Sequence, residues 1–154
     1  MVGRRRRFAL ADTAQQVVGG FLLAGPFVVT EEVWVLARNM SAFQGLLTVC
    51  IVLGIGYGAL YKADNRDPDR EAEVGGIPLR FISLVIVSYL SVLILALAFN
   101  APGTFLSDIA DADPGAFRVL GMTFSWAVLG VTLKATSVGA VFSVIGAATA
   151  DSLF

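Results

Sequence analysis

The chain has 154 residues and a formal net charge of −1, and 56% of its residues are hydrophobic while only 15% are charged. Soluble domains are about 45–50% apolar and about 25% charged, so this composition, with a mean hydropathy of +0.78, is typical of a membrane protein. There is no histidine and one cysteine, Cys50, which excludes an intrachain disulfide and catalysis by a Ser-His-Asp or Cys-His group. We expect no enzymatic activity, cofactor, metal site or nucleic-acid partner.

Apolar blocks follow one another along the chain, and each approaches the roughly 20 residues that a helix needs to cross about 30 Å of hydrocarbon. They cover residues 16–37, 42–61, 78–99, 117–133 and 135–150. Little sequence remains outside them. Residues 1–154 are therefore predicted to form a single domain, an all-α bundle of transmembrane helices in the lipid bilayer.

Capping residues mark the start of two helices, and polar segments separate the blocks. Asp12 is followed by Gln15 and Ser41 by Gln44, and each pair can cap the first turn of a helix. Segments 62–76 and 100–116 are rich in turn-forming residues and are predicted to be loops. These loops contain eight of the twelve acidic residues, a composition that favours a salt-adapted, halophile-like protein.

The segment from Phe117 to Leu153 contains no proline, and as one helix it would be about 55 Å long, nearly twice the hydrocarbon thickness. Lys134 lies near its middle and is followed by Thr136 and Ser137. We therefore predict two short spans joined by a tight turn near residues 133–137, which gives five spans in all. The alternative is a four-span chain with one long, bent last helix.

The basic residues favour one orientation. With five spans and a cytoplasmic N-terminus, nine of the 11 basic residues lie on the cytoplasmic side, and Arg38 and Arg118 lie outside. Since cytoplasmic loops carry an excess of Lys and Arg, we predict a multi-pass protein of the plasma membrane with its N-terminus inside and its C-terminus outside. The run from Arg4 to Arg7 is interpreted as an anchor of the first helix, with a twin-arginine export signal as the alternative.

Small residues recur four positions apart in three blocks, a spacing that lets helix backbones approach closely in lipid. They are Gly20 and Ala24 in the first block, Gly54 and Gly58 in the second, and Ala135, Gly139, Ser143 and Ala147 in the last. For the last stripe we predict a seam between copies of a homo-oligomer. Packing within the monomer is the alternative.

Two adjacent glutamates, Glu31 and Glu32, interrupt the first apolar block. A carboxylate near lipid costs about 3 kcal/mol or more, and it persists where it faces a bundle interior, a water-filled cavity or a partner charge. Pro26, which lies shortly before the pair, kinks the helix and frees backbone carbonyls. Together with Thr30, these residues are candidates for a cation or proton site of the kind found in the broken helices of transporters.

Arg118 is the candidate partner of the glutamates. Counted from the predicted outer ends of their helices, Arg118 and Glu32 lie at similar depth, so we expect an ion pair between Arg118 and Glu31 or Glu32. The alternative is an interfacial collar, in which the acids reach the membrane surface and Trp34 belongs to an aromatic belt.

Two segments carry a resemblance to a known family. One is Gly25-Pro26-Phe27-Val28-Val29-Thr30-Glu31-Glu32-Val33-Trp34, and the other extends from Thr132 to Ser152. They resemble an uncharacterised family of predicted integral membrane proteins, a domain of unknown function from halophilic archaea and from bacteria. The resemblance implies residence in the membrane and, by its Pro–Glu–Trp pattern, an important role for Glu32. It implies no catalytic residue.

Two hypotheses for the function follow. The first is a small oligomeric ion or proton channel, carrier or accessory transport subunit, in which Glu31 and Glu32 contact the cation or proton. The second is a non-transporting membrane scaffold or regulatory subunit, in which the acids dock a helix of a partner protein.

Overall fold

Helices make up most of the protein. The structure is a computed structural model that describes residues 10–63, 67–119 and 121–153. Its α-helices are α1 (Leu10–Val28), α2 (Glu31–Asn39), α3 (Ala42–Tyr57), α4 (Leu79–Ala98), α5 (Ala101–Phe105), α6 (Ser107–Ala112) and α7 (Trp126–Leu153). The prediction of a helical bundle is confirmed.

Short elements connect the long helices. α3 continues as a π-helical turn over Gly58–Ala63, and a 3-10 turn covers Pro68–Arg70. The antiparallel strands are β1 (Glu73–Val74) paired with β2 (Ile77–Pro78), and β3 (Phe117–Val119) paired with β4 (Met122–Phe124). Phe117–Val119 and Met122–Phe124, which the sequence predicted to be helical, therefore form paired strands instead.

Three helical stretches are long and apolar enough to cross a membrane: Ala42–Lys62, α4 and α7. α1 and α2 meet the criterion as a pair, which is bent by 82° at the break between them. The described residues thus contain three candidate spans, or four if the bent pair crosses once. The predicted count of five is not confirmed.

The turn predicted near residues 133–137 is wrong, because α7 continues without a break from Trp126 to Leu153. Its polar side chains find partners within or beyond the helix. Thr132 and Thr136 each donate to the carbonyl one turn earlier, at 2.8 Å. The Lys134 Nζ donates to the Met40 carbonyl at 2.6 Å, at the junction of α2 and α3. With 28 residues the helix is about 42 Å long, so it exceeds the hydrocarbon layer without needing a turn.

α1 begins and α7 ends at the same end of the bundle. Arg80, in the first turn of α4, forms ion pairs there with Asp12 of α1 and Asp151 of α7. Asp12 and Asp151 thus lie at the same end of the bundle, whereas five spans would have placed them at opposite ends.

α7 is the central helix and packs against α1, α2, α3 and α4. Its closest neighbour is α1: a Cβ added to Gly19 would lie 2.1 Å from the Gly146 carbonyl oxygen, and one added to Gly146 would lie 2.2 Å from the Gly19 carbonyl oxygen. Only glycine permits backbones to approach this closely.

The small-residue stripe of α7 faces the interior of the monomer. Its four residues, Ala135, Gly139, Ser143 and Ala147, are all buried. A Cβ on Gly139 would meet Val92 of α4, and the Ser143 hydroxyl donates to the Gly20 carbonyl at 3.0 Å. The stripe is therefore occupied by α1 and α4 and is not available as a seam between copies.

The other small-residue pairs differ from each other. Gly20 and Ala24 are buried in α1. A Cβ added to Gly54 or Gly58 would meet nothing within 4 Å in the part of the chain that the structure describes. That side of the α3 stretch has no packing partner among the described residues of the monomer.

Candidate functional site

A network of charged and polar side chains, some half-buried and some fully buried, lies at the end of the bundle where α1 begins. We call it the Arg80 cluster, and it consists of Asp12, Gln16, Glu71, Arg80, Ser83 and Asp151. The side chain of Asp151 is 0% exposed and that of Arg80 is 11% exposed. Charged residues are almost never buried without partners, and ionisable groups inside a membrane bundle commonly mark functional sites.

The guanidinium of Arg80 contacts three carboxylates. Its Nη1 donates to both oxygens of Asp151, at 2.7 and 2.8 Å. Its Nη2 donates to Asp12 at 3.0 Å, and its Nε lies 3.3 Å from Oε1 of Glu71. Charge-assisted contacts of this kind are stronger than neutral hydrogen bonds. One side chain thus links the start of α1, the segment before β1 and the end of α7.

Gln16, which is fully buried, extends the network into the bundle. Its Nε2 donates to Oδ1 of Asp151 at 3.1 Å, and its Oε1 accepts a hydrogen bond from Ser83 at 2.7 Å. At the end of the α3 stretch, the Tyr61 hydroxyl donates to Glu71 at 2.9 Å. Every long helix therefore contributes a side chain to the cluster or to its edge.

Polar groups continue from the cluster along the interface of α1, α4 and α7. A Cβ at Gly20 would lie 2.9 Å from Oγ of Ser91 and 3.2 Å from Oγ of Ser143, so these hydroxyls surround one point. Ser91 is 1% exposed, and its Oγ has no hydrogen-bond partner among the described residues. Ser91 lies about 16 Å along α4 from Arg80, roughly halfway across a bilayer.

Glu31 and Glu32 lie far from this cluster, in the first turn of α2, and both are exposed. With Val35 and Leu36 they line an open groove of about 460 Å³. α1 continues through Pro26 and ends two residues later at Val28. Cation or proton binding at Glu31 and Glu32, with Pro26 and Thr30 in support, stays a prediction.

The Pro–Glu–Trp segment forms the corner between α1 and α2. The Phe27 carbonyl accepts hydrogen bonds from the amide and the hydroxyl of Thr30, at 3.3 and 3.0 Å. The Val28 carbonyl accepts one from the Trp34 Nε1 at 3.0 Å. Trp34 is 2% exposed, so it is a buried corner residue and not a member of an aromatic belt.

The Trp34→Phe variant should lower the free energy of unfolding by about 1 kcal/mol, because it removes the buried donor to the Val28 carbonyl and keeps most of the ring. Denaturant unfolding in detergent, followed by circular dichroism, measures the change. Trp126→Phe is the matched control, since Trp126 is 84% exposed. Equal losses in the two variants would contradict a structural role for the indole hydrogen bond.

Arg118 does not pair with the glutamates in the described part of the chain. It lies in β3, in a hairpin rather than a span, and it lines a different cleft. The arginine that forms an ion pair near this end is Arg38, whose Nη2 contacts the carboxylate of Asp108 and donates to the Phe105 carbonyl at 3.0 Å. The hydrogen bond from Arg38 lowers the pKa of Asp108, so this exposed carboxylate stays ionised to a lower pH than usual.

Sequence reasoning did not identify the Arg80 cluster. Asp12 and Asp151 each lie at the end of an apolar block, where a charged residue is ordinary. A signal was nevertheless available. Asp12, Arg80 and Asp151 each lie near one end of an apolar block, and a chain with four spans would bring these three ends to the same side of the membrane. The assumption of five spans placed Asp151 on the opposite side and hid the relation.

Comparisons with known proteins support residence in the membrane. The model of a family described as "Putative integral membrane protein (DUF2391)" matches residues 3–106. The matched region includes Asp12, Glu71, Arg80 and the corner from Gly25 to Trp34, whereas Asp151 lies beyond it. No curated protein and no solved structure matches the chain.

Proposed function

Because this chain belongs to the DUF2391 family of integral membrane proteins, we propose that it moves protons or small cations across a membrane, alone or as an accessory subunit of a transporter. The observation that carries the proposal is the Arg80 cluster, which places one guanidinium and three carboxylates at the end of an apolar bundle. Apolar residues of similar size commonly stabilise a buried position at least as well as an ion pair does. A role in packing alone therefore does not account for the charges.

Protonation offers a way for the cluster to control helix position. A proton on Asp151 would neutralise the acceptor of the two hydrogen bonds from Nη1 of Arg80. α1 and α7 are held together separately, by the backbone contact of Gly19 with Gly146. A change in the charge of the cluster would therefore act most directly on the start of α4, which carries Arg80. The hydroxyls of Ser91 and Ser143 provide polar contacts further along the same interface.

We further propose four spans, with the Arg80 cluster on the cytoplasmic side of the plasma membrane. In this arrangement eight of the 11 basic residues of the sequence lie on the cytoplasmic side, and only Arg38, Arg118 and Lys134 lie on the other. The excess fits the positive-inside rule. The acidic loops also lead us to propose adaptation to high salt.

Ion flux in proteoliposomes tests the proposed activity. Purified protein is reconstituted, and proton, sodium and potassium gradients are imposed in turn, with empty liposomes as the blank. We expect flux of at least one of these ions, and at least a tenfold loss in Asp151→Asn. Asp108→Asn is the control, because Asp108 is an exposed carboxylate that pairs with Arg38 and not with Arg80.

Two outcomes would contradict the proposal. Absence of flux for every ion in the wild-type protein would contradict the first form of the proposal, transport by this chain alone. Flux that persists in Asp151→Asn and disappears in Glu31→Gln or Glu32→Gln would move the site to the glutamate pair. The oligomeric state and monodispersity of each variant are compared first, so that a misfolded sample is not counted as an inactive one.

A second candidate function is a non-transporting scaffold or regulatory subunit that docks a partner helix. It is favoured by the exposed groove beside Glu31 and Glu32, whose remaining lining residues, Val35 and Leu36, are apolar. We also propose a homo-oligomer in which copies of the chain pack through the side of the α3 stretch that carries Gly54 and Gly58. This side is favoured because an added Cβ at either glycine would meet no described residue within 4 Å. Absence of flux together with site-specific crosslinking to a partner from Val35, but not from Leu133, which is 63% exposed on a different helix, would favour the scaffold.

A further inference from the structure

A polar cleft of about 220 Å³ lies between the β3–β4 hairpin and the short helices α5 and α6. Its lining includes five polar side chains: Asn100, Ser107, Asp111, Arg118 and Thr123. The cleft is at the far end of α4 from Arg80, about 30 Å away along that helix. It is therefore separate from the Arg80 cluster and independent of the function proposed for it.

The five polar residues line the cleft without binding to one another. None of them forms an ion pair or a side-chain hydrogen bond with another residue that the structure describes. Arg38 differs, since its guanidinium binds Asp108. A guanidinium, a carboxylate, a carboxamide and two hydroxyls thus share one small space with their hydrogen-bonding capacity available.

The backbone beneath the cleft is shaped for the Asn100 side chain. Gly103 lies under it, and a Cβ at that position would be 2.4 Å from Oδ1 of Asn100. Gly121, at the tip of the hairpin, also lines the cleft and has a φ of 81°, a conformation that favours glycine. Gly103 therefore leaves room for the Asn100 side chain, and Gly121 permits the backbone conformation of the hairpin.

We propose that this cleft binds a phosphate ester that carries a hydroxyl group, from a glycerophospholipid headgroup or from a free glycerol phosphate. A guanidinium recognises phosphate oxygens through paired hydrogen bonds, which assigns the phosphate to Arg118. The Asp111 carboxylate would repel a bare anion and accept a hydrogen bond from a hydroxyl, which selects an ester with both groups. The volume fits a group of this size and is smaller than the roughly 300–1,000 Å³ of sites for drug-sized ligands.

The neighbours of the cleft place it at the level of lipid headgroups. Phe99, Phe117 and Trp126 precede or follow its lining residues in the sequence and are 54%, 47% and 84% exposed. Exposed aromatic side chains concentrate where the hydrocarbon meets the headgroups. A lipid headgroup can therefore reach the cleft from the bilayer, and a soluble ester can reach it from the aqueous side.

Ligand-dependent thermal unfolding and native mass spectrometry test the site. The probes are phosphatidylglycerol, phosphatidylcholine, sn-glycerol 3-phosphate and inorganic phosphate, added to delipidated protein in detergent. We expect phosphatidylglycerol or glycerol 3-phosphate to bind the wild type, and binding to weaken about tenfold or more in Arg118→Gln. Arg38→Gln is the matched control and should bind as the wild type does. Binding of the lipid alone assigns the lipid as the source, and binding of the soluble ester assigns the free compound.

A second variant tests the hydroxyl. The wild type should prefer glycerol 3-phosphate to inorganic phosphate, and Asp111→Ala should lose this preference while it still binds phosphate. The proposal is overturned if no ester binds the wild type better than phosphatidylcholine does, if Arg118→Gln binds equally well, or if the preference survives in Asp111→Ala. The unfolding temperature of each variant without ligand shows whether that variant is folded. Arg118→Lys keeps the positive charge but not the planar guanidinium, so it should bind with a strength between those of the wild type and Arg118→Gln.

Discussion

Arg80→Gln is expected to lower the free energy of unfolding by about 3–5 kcal/mol, the range found when one partner of a buried ion pair is removed. The variant removes both hydrogen bonds that Asp151 receives from Nη1, although the Asp151 side chain is 0% exposed. It also removes the contacts that hold Asp12 and Glu71 to the start of α4. Denaturant unfolding in detergent micelles, followed by circular dichroism, measures the loss.

Arg38→Gln is the control for this variant. Its ion pair with Asp108 is partly exposed, 30% at the arginine and 66% at the aspartate, and such pairs contribute about 1 kcal/mol or less. Arg80→Gln combined with Asp151→Asn should be more stable than Arg80→Gln alone, because the buried carboxylate is then neutral. If the two arginine variants unfold alike, or if Asp151→Asn gives no recovery, the ion pairs of Arg80 do not hold the bundle together.

Gly146→Ala is expected to lower the free energy of unfolding by about 3 kcal/mol or more, at or beyond the upper end of the usual cost of overpacking. The added Cβ would lie 2.2 Å from the Gly19 carbonyl oxygen and 3.0 Å from the Leu23 side chain. A backbone carbonyl cannot rotate away as a flexible side chain can, so α1 and α7 must separate along their length. The loss should appear as a lower unfolding temperature and as a lower denaturant midpoint.

Gly130→Ala provides the comparison within the same helix. A Cβ at Gly130 would meet nothing within 4 Å among the described residues, and alanine favours a helix over glycine by about 1 kcal/mol. Gly130→Ala should therefore leave stability unchanged or raise it slightly. A loss in Gly130→Ala as large as that in Gly146→Ala would contradict the prediction, because it would show that the cost does not depend on the contact of α1 with α7.

Local signals in the sequence predicted the helices well. The apolar blocks 42–61 and 78–99 correspond closely to the α3 stretch and to α4. The capping box predicted at Ser41 and Gln44 forms: the Gln44 amide donates to Oγ of Ser41 at 3.2 Å, and the Ser41 amide donates to Oε1 of Gln44 at 2.7 Å. These features depend on residues within one turn of each other, and a single sequence contains that information.

Pairings between distant residues could not be predicted in the same way. Arg80 and Asp151 are separated by 71 positions, and Lys134 and Met40 by 94. The turn near residues 133–137 was predicted because one helix from Phe117 to Leu153 would be nearly twice as long as the hydrocarbon layer is thick, with Lys134 near its middle. The structure supplies a carbonyl partner for Lys134 and for Thr136, so the helix continues. The Arg80 cluster was missed for the same reason, because its members become neighbours only after the chain has crossed and returned.

The pairing of α1 with α7 has a consequence for biogenesis. α1 is synthesised before the other described helices and α7 after them, so α1 exists for a time without its main packing partner. Until α7 is synthesised, Gly19 lacks the backbone that it contacts in the native structure, and Asp12 lacks the complete bundle end that surrounds it there. The native arrangement of α1 can therefore form only after α7 has been translated, and a chain that ends before Gly146 would leave the side of α1 that carries Gly19 without its packing partner.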